Sequence, residues 1–120
     1  MQVISLAEKL ALFAEHWRPK VIAEVNGAEL KLVKLQGEFI FHHHEEAEEA
    51  FLCLAGEMEI DLGEETHLLR PGELFVVPRG ARHRTRAKEE AHVLIIAPKG
   101  LRNTGGELHA DLTAPSGVRI

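Results

Sequence analysis

Apolar residues change their spacing near residue 20. Before it, Leu6, Leu10, Phe13 and Trp17 fall at i, i+4, i+7 and i+11, one stripe that predicts an amphipathic helix over about residues 5–17. Ser5 followed by Glu8 is a capping-box start, and Pro19 closes the helix. The stripe is expected to pack over one face or end of a sheet. From Lys20 onward the apolar period is two. Val21–Val25 and Glu29–Leu35 flank Asn26-Gly27, a pair suited to a two-residue hairpin turn. In the second arm Leu30 and Leu32 share one face and Lys31, Val33 and Leu35 the other, and neither face is clearly solvent. Glu57–Leu62 alternates cleanly, with Met58, Ile60 and Leu62 inward. Leu74–Val77 and Ala91–Ala97 are further apolar strands, and His83 and Thr85 are expected inward with Arg82, Arg84 and Arg86 in an outward basic row. About nine short strands separated by turn signals predict an all-β sandwich or barrel over about residues 20–98. A turn-rich tail, residues 99–120, is expected to wrap the body or cross to a second subunit. The inward set is expected to include Ile40, Phe51, Cys53, Met58, Ile60, Leu74 and Val76, with His92 near the cavity if the even positions of its strand face inward.

Composition narrows the function. At 120 residues and 45% hydrophobic residues the chain predicts one domain, residues 1–120, with a packed core. A net charge of −5 argues against nucleic acid or an anionic membrane as partner. No apolar run approaches a membrane span, and Glu8 and Glu15 interrupt the first seventeen residues, which do not read as a signal peptide. The single cysteine, Cys53, cannot close an internal disulfide, and a reducing cytoplasm is the expected setting. Cys53 itself is read as a packing residue.

The chemistry lies between Gly37 and Gly56, GEFIFHHHEEAEEAFLCLAG. In an extended chain His42 and His44 project to one side with Ile40, and Phe39, Phe41 and His43 to the other. Two imidazoles one pleat apart can share an ion. A third ligand is expected from the next strand, where Glu49 shares a face with Phe51 and Cys53. His43 reads as a solvated neighbour. Downstream, Gly72-Glu-Leu-Phe-Val-Val-Pro-Arg-Gly-Ala-Arg-His83 runs from a glycine turn through an apolar strand and a Pro/Gly turn to a histidine entering another strand.

These two stretches resemble the paired motifs of the cupin superfamily: Gly, His-x-His, four residues, Glu, six residues and Gly in the first, and Gly, five residues, Pro-x-Gly-x-x-His in the second. The resemblance covers Gly37 to about Ala87. It implies a double-stranded β-helix, the jelly-roll cupin barrel, with metal ligands at His42, His44, Glu49 and His83. The first motif has four residues between Gly37 and His42 where five are usual, and Ala87 stands where the family places an asparagine. The implied cofactor is one divalent transition metal ion, Fe, Mn, Ni, Zn or Cu, with one or two open positions. The expected function is that of a small-molecule metalloenzyme, oxygenase- or isomerase-like. The alternative is a non-catalytic module that binds a small molecule or metal. Phe39 and Phe41 need cover, and the family's habit of pairing subunits predicts a homodimer.

Overall fold

The structure, a computed structural model, describes residues 2–120. Among these residues one helix, α1 (Leu6–Leu10), precedes seven strands: β1 (Lys20–Val25), β2 (Ala28–Glu38), β3 (Glu49–Ala55), β4 (Met58–Asp61), β5 (Thr66–Leu69), β6 (Leu74–Val77) and β7 (Arg84–Pro98). The pairings between strands are all antiparallel. β7 is the spine. Along one edge it pairs with β2 for most of its length; along the other its start pairs with β4 and its end with β3. The order is β1-β2-β7-β3-β6, with β5 attached to β4. Register shifts between Leu35 and Gly37 and between Cys53 and Ala55 let these long pairs bend. The sheet rolls into the predicted jelly roll with a short N-terminal helix.

The strand count is seven where nine are expected, for two reasons. The segment from Phe39 to His44 is irregular and touches the ladder only at an isolated bridge between His42 and His83. The two strands expected around His83–Arg86 and Ala91–Ala97 are one, because the backbone stays extended through the polar residues Lys88, Glu89 and Glu90. The hairpin forms as expected: Val25 lies opposite Ala28, leaving Asn26 and Gly27 with φ of 49° and 79°.

Two apolar clusters hold this arrangement. Val33, Leu35, Phe51, Cys53, Met58, Ile60, Val93 and Ile95 are among those filling the barrel. Leu32, Leu94 and Phe13 form a second cluster, with Leu6, Leu10 and Leu30 packed against it. β2 is thus covered on both faces, which is why neither of its faces reads as solvent.

The helix is shorter than predicted. Ser5 caps it, accepting from the Glu8 N–H at 3.2 Å, but it stops at Leu10 because β2 takes over the bonds of the following chain. Lys34 Nζ donates to the Phe13 carbonyl at 2.6 Å, and the Trp17 N–H donates to the Lys34 carbonyl at 2.9 Å. The apolar stripe therefore divides. Leu6, Leu10 and Phe13 stay outside the barrel, and Trp17 packs against the interior.

Three further expectations are corrected. On β6, Leu74 (57% exposed) and Val76 (45%) face out while Phe75 and Val77 turn in. Four successive apolar residues carry no alternation, and the pairing of Val77 with Glu49 and Phe75 with Phe51 sets the face. Ile40 lies off the ladder and lines a surface hollow with Phe41. On β7 the odd positions face in, and His92 turns out to Glu90, 2.9 Å away.

The basic row does face outward, and it is engaged within the chain. Arg84 pairs with Asp61 and Glu38 at 3.0 Å each, Arg86 with Glu59 and Asp61 at 3.4 Å. Arg82 and Arg84 also lie over the Phe41 ring, 4.6 and 4.7 Å from its centroid. Phe39 turns inward and stacks on Trp17 at 4.8 Å. The two rings from which a homodimer is predicted are covered without one. The tail wraps the body along β1, where the Val21 N–H donates to Val118 and the Ile120 N–H to Val21. No described helix is long and apolar enough to cross a membrane.

Gly56, the last residue of the first motif, has φ 73°, and a Cβ there would lie 2.7 Å from the Glu90 carbonyl oxygen. Gly63 has φ 91° with nothing within 4 Å of such a Cβ. Gly63→Ala should cost about 1 kcal/mol for its backbone angle, and Gly56→Ala about 2 kcal/mol more for the collision with β7. Urea denaturation of both variants checks the difference, and equal costs would mean that β7 yields at this contact.

Candidate metal centre

Glu49 opens β3 opposite Val77, so its carboxylate points into the barrel on the same face as Phe51. The two histidine loops are joined across the barrel mouth. His42 and His83 exchange backbone N–H···O bonds of 2.9 Å each, and the Gly80 N–H donates to the His44 carbonyl at 2.9 Å. The rings are oriented by their own loops: Nδ1 of His42 lies 2.9 Å from the Ile40 carbonyl, and Nδ1 of His83 lies 3.0 Å from the Ala81 carbonyl. A carbonyl accepts only, so Nδ1 carries the proton in both rings and the Nε2 lone pair is left to face the interior.

The four expected residues converge. Ligand atoms of His42, His44, Glu49 and His83, all buried, lie within 4.8 Å of one another. His44 Nε2, Glu49 Oε1 and His83 Nε2 are buried with no hydrogen-bond partner. Glu49 Oε1 is 3.4 Å from His44 Nε2 and 3.6 Å from His83 Nε2. These separations are too long for good hydrogen bonds. They are the spacing of atoms that share one ion at about 2.0–2.2 Å. The residues present fit a metal, and three imidazole nitrogens with one carboxylate oxygen suit Fe, Mn, Ni, Zn or Cu. His43 stays outside the group, 3.5 Å from Glu45 at the surface.

The protonation states suit ligation. Burial, with the charge of His83 adding to it, pushes His42 down to about 4. For Glu49 burial acts upward, and the facing imidazoles of His44 and His83 outweigh it and hold the carboxyl at about 2. A neutral imidazole and an ionised carboxylate are the forms a metal takes.

In front of the group is a hollow with an empty volume of about 420 Å³, part of it open to solvent. His42 and Glu49 form one side, the rings of Trp17, Phe39 and Phe51 form walls, and Lys31, Thr85 and Asn103 contribute polar groups. Trp17 holds a left-handed backbone, φ 64°, unusual for a bulky residue. Three bonds hold it there: its N–H to Lys34, its indole Nε1 to the Gln36 carbonyl at 3.0 Å, and its own carbonyl accepting from Asn103 Nδ2 at 3.2 Å. Cys53 is fully buried outside the hollow, with Sγ 3.4 Å from the Gly56 carbonyl, and burial pushes its thiol up. It packs, as expected.

Lys31, Trp17, Phe39 and Asn103 line this site without having been expected there. The signal for Lys31 is present in its parity with Val33 and Leu35; no local signal takes Trp17 off its helical stripe.

The Cupin domain family profile matches residues 31–97. The chain belongs to the cupin family. This cupin is 39% identical over 67 residues to the uncharacterised protein YdbB of Bacillus subtilis, a match that covers 55% of this chain and only 59% of YdbB. It is similar to the crystal structure of a cupin-2 domain containing protein from Shewanella frigidimarina, with TM-score 0.80, 41% identity, and coverage of 81% of this chain and 95% of that one. The structure of hydroquinone 1,2-dioxygenase PnpCD in complex with Fe3+ shares the fold at TM-score 0.72 and 17% identity, over 80% of this chain and 32% of that one.

Elemental analysis of native and variant protein tests the group. His44→Ala and His83→Ala should each drop bound metal from near one ion per chain to a small fraction, and His43→Ala should leave it unchanged. Metal lost in the His43 variant alone would mean that the wrong imidazoles have been chosen.

Acid should weaken the metal-free fold through His42. Its folded value, about 4, lies below the free value of 6.5, so the unfolded chain binds the proton first as pH falls. Stability is full above 6.5 and declines towards 4 by on the order of 3 kcal/mol. Glu49, depressed from 4.5 to about 2, adds its loss only below 4.5. Urea midpoints of the chelated protein between pH 7 and 4.5 should show this slope, and His42→Gln should flatten it; an unchanged slope in that variant would assign the loss to other groups.

Proposed function

We propose that this cupin is a metal-dependent enzyme acting on a small molecule with a largely apolar body, with oxygenase chemistry favoured over isomerisation. The observation that carries this reading is the convergence of three bare, buried ligand atoms beside a hollow walled by aromatic rings. A redox-active ion held there would supply Lewis-acid activation or oxygen chemistry at its open positions. The chain's own residues do the rest. The Ile40 and Ala81 carbonyls hold two of the ligand rings in one orientation, and Trp17, Phe39 and Phe51 exclude water from the side where a ligand enters.

The polar lining favours an apolar body over a sugar phosphate. Asn103 lines the hollow, but its amide is consumed: Nδ2 donates to the Trp17 and Leu112 carbonyls, and Oδ1 accepts from the Ala114 N–H. Lys31 and Thr85 are left, too few for a polyhydroxylated substrate. The non-catalytic alternative, a small-molecule or metal-binding module, shares the same ligand group and differs in turnover.

The test is metal content of protein purified without an affinity tag, followed by oxygen uptake against a panel of small hydroxylated aromatic compounds. Near one Fe, Mn, Ni or Cu per chain with substrate-dependent uptake, abolished in His83→Ala, is the expected result. Zn, or ions taken up indifferently without turnover, would replace this reading with the binding module.

A further inference from the structure

The hollow holds one basic side chain that the rest of the chain does not use. Lys31 is 5% exposed and lines the hollow beside Val33, Phe51 and Ile95. Among the described residues it has no hydrogen-bond, ion-pair or cation–aromatic partner. Nearby lysines differ: Lys20 pairs with Glu15 at 3.1 Å, and Lys34 donates to the Phe13 carbonyl. An ammonium that no described group of the chain engages is left to meet whatever enters the hollow.

Register sets where it faces. Lys31 lies opposite Ile95 on β7, which lies opposite Phe51 on β3, and Phe51 follows Glu49 by one pleat repeat on the same face. The Lys31 backbone is thus two strands from that of Phe51, roughly 10 Å, a span that a small molecule and two side chains can bridge. The carboxylates on this inner face are Glu49, turned to His44 and His83, and Glu29, which accepts from the Gly100 N–H at 3.3 Å. Neither pairs with Lys31. The Thr85 hydroxyl, on the same lining, has no partner among the described residues either. The hollow, about 420 Å³ with part of it open to solvent, has room only for a small molecule.

We propose that Lys31 is the specificity residue of the substrate site and binds the carboxylate of a small, singly charged acid, whose apolar ring or short chain lies against Trp17 and Phe39. This assignment rests on reading the hollow as the substrate site, and it specifies the substrate class of the enzyme proposed above. The lysine supplies a charge-assisted bond that a neutral analogue cannot make, and the aromatic walls supply the apolar contact.

Trp17 is the only tryptophan, so its emission reports occupancy of the hollow. Protein of measured metal content is titrated with benzoate and with benzamide, which has the same ring without the charge. Benzoate should shift the emission saturably and bind at least tenfold tighter than benzamide. Lys31→Met should weaken benzoate by at least tenfold with benzamide and metal content unchanged, and Lys31→Arg should retain the preference for the acid. Equal binding of acid and amide by the native protein, equal benzoate binding by native and Lys31→Met, or no emission change with either probe overturns the assignment. The acid-to-amide ratio measured on chelated protein, where no ion can take the carboxylate, needs no variant and holds the test if Lys31→Met does not fold. An acid preference in chelated protein would uphold Lys31 whatever the metal content; native protein without bound metal would remove the metal reading alone, and full metal content without an acid preference would remove Lys31 alone.

Discussion

A carboxylate buried among imidazoles is a costly thing to build, because each polar atom has left water and must find a partner inside. In this barrel Glu49 Oε1, His44 Nε2 and His83 Nε2 have left water, and no hydrogen-bonding atom meets them. Their separations of 3.4 and 3.6 Å keep them from closing on one another. Much of the surrounding structure serves to hold them so. The His42 and His83 backbones lock the two loops together, and the Gly80 N–H ties the second loop to His44. The ring nitrogens that do not face the interior are taken by loop carbonyls at His42 and His83. A core that must keep such atoms apart is organised around what belongs between them.

The same economy extends outward through Trp17. A chain that began as an amphipathic helix leaves it at Leu10, and β2 captures the following backbone at Phe13 and Trp17. The indole then becomes a wall of the hollow, stacked on Phe39, with Asn103 of the tail bonded to its carbonyl. One residue thereby joins the N-terminal segment, the ladder, the tail and the candidate site. Lys31 completes this wall from β2, a position where the strand is buried on both faces and where a charged side chain has only the hollow to enter.

The candidate metal group was legible in the chain, since His42, His44, Glu49 and His83 stand at motif spacings that survive without any knowledge of contacts. Their parity was legible only in part. His42 and His44 do face the interior, but Phe39 joins them there and Ile40 does not, because the segment bends as an irregular loop and strand alternation does not apply to it. The face of β6 was illegible for another reason: Leu74, Phe75, Val76 and Val77 are all apolar, and only pairing with β3 chooses between them.

Local chemistry decided what depends on neighbours in sequence: the Ser5 cap, the Asn26-Gly27 turn, the alternation of β4, and the order of the two histidine motifs that marks the cupin barrel. Each is a property of a few consecutive residues and their backbone preferences. Tertiary structure decided what depends on partners far along the chain. The helix gives way before Phe13, whose carbonyl Lys34 of β2 bonds, the outward row of Arg84 and Arg86 closes into ion pairs with Asp61, Glu38 and Glu59, and Lys31 is left without a partner in the hollow among the described residues. Burial and ion pairing are set by which strands meet, and that is written in the register of β2, β3 and β7 and in no single segment of the sequence.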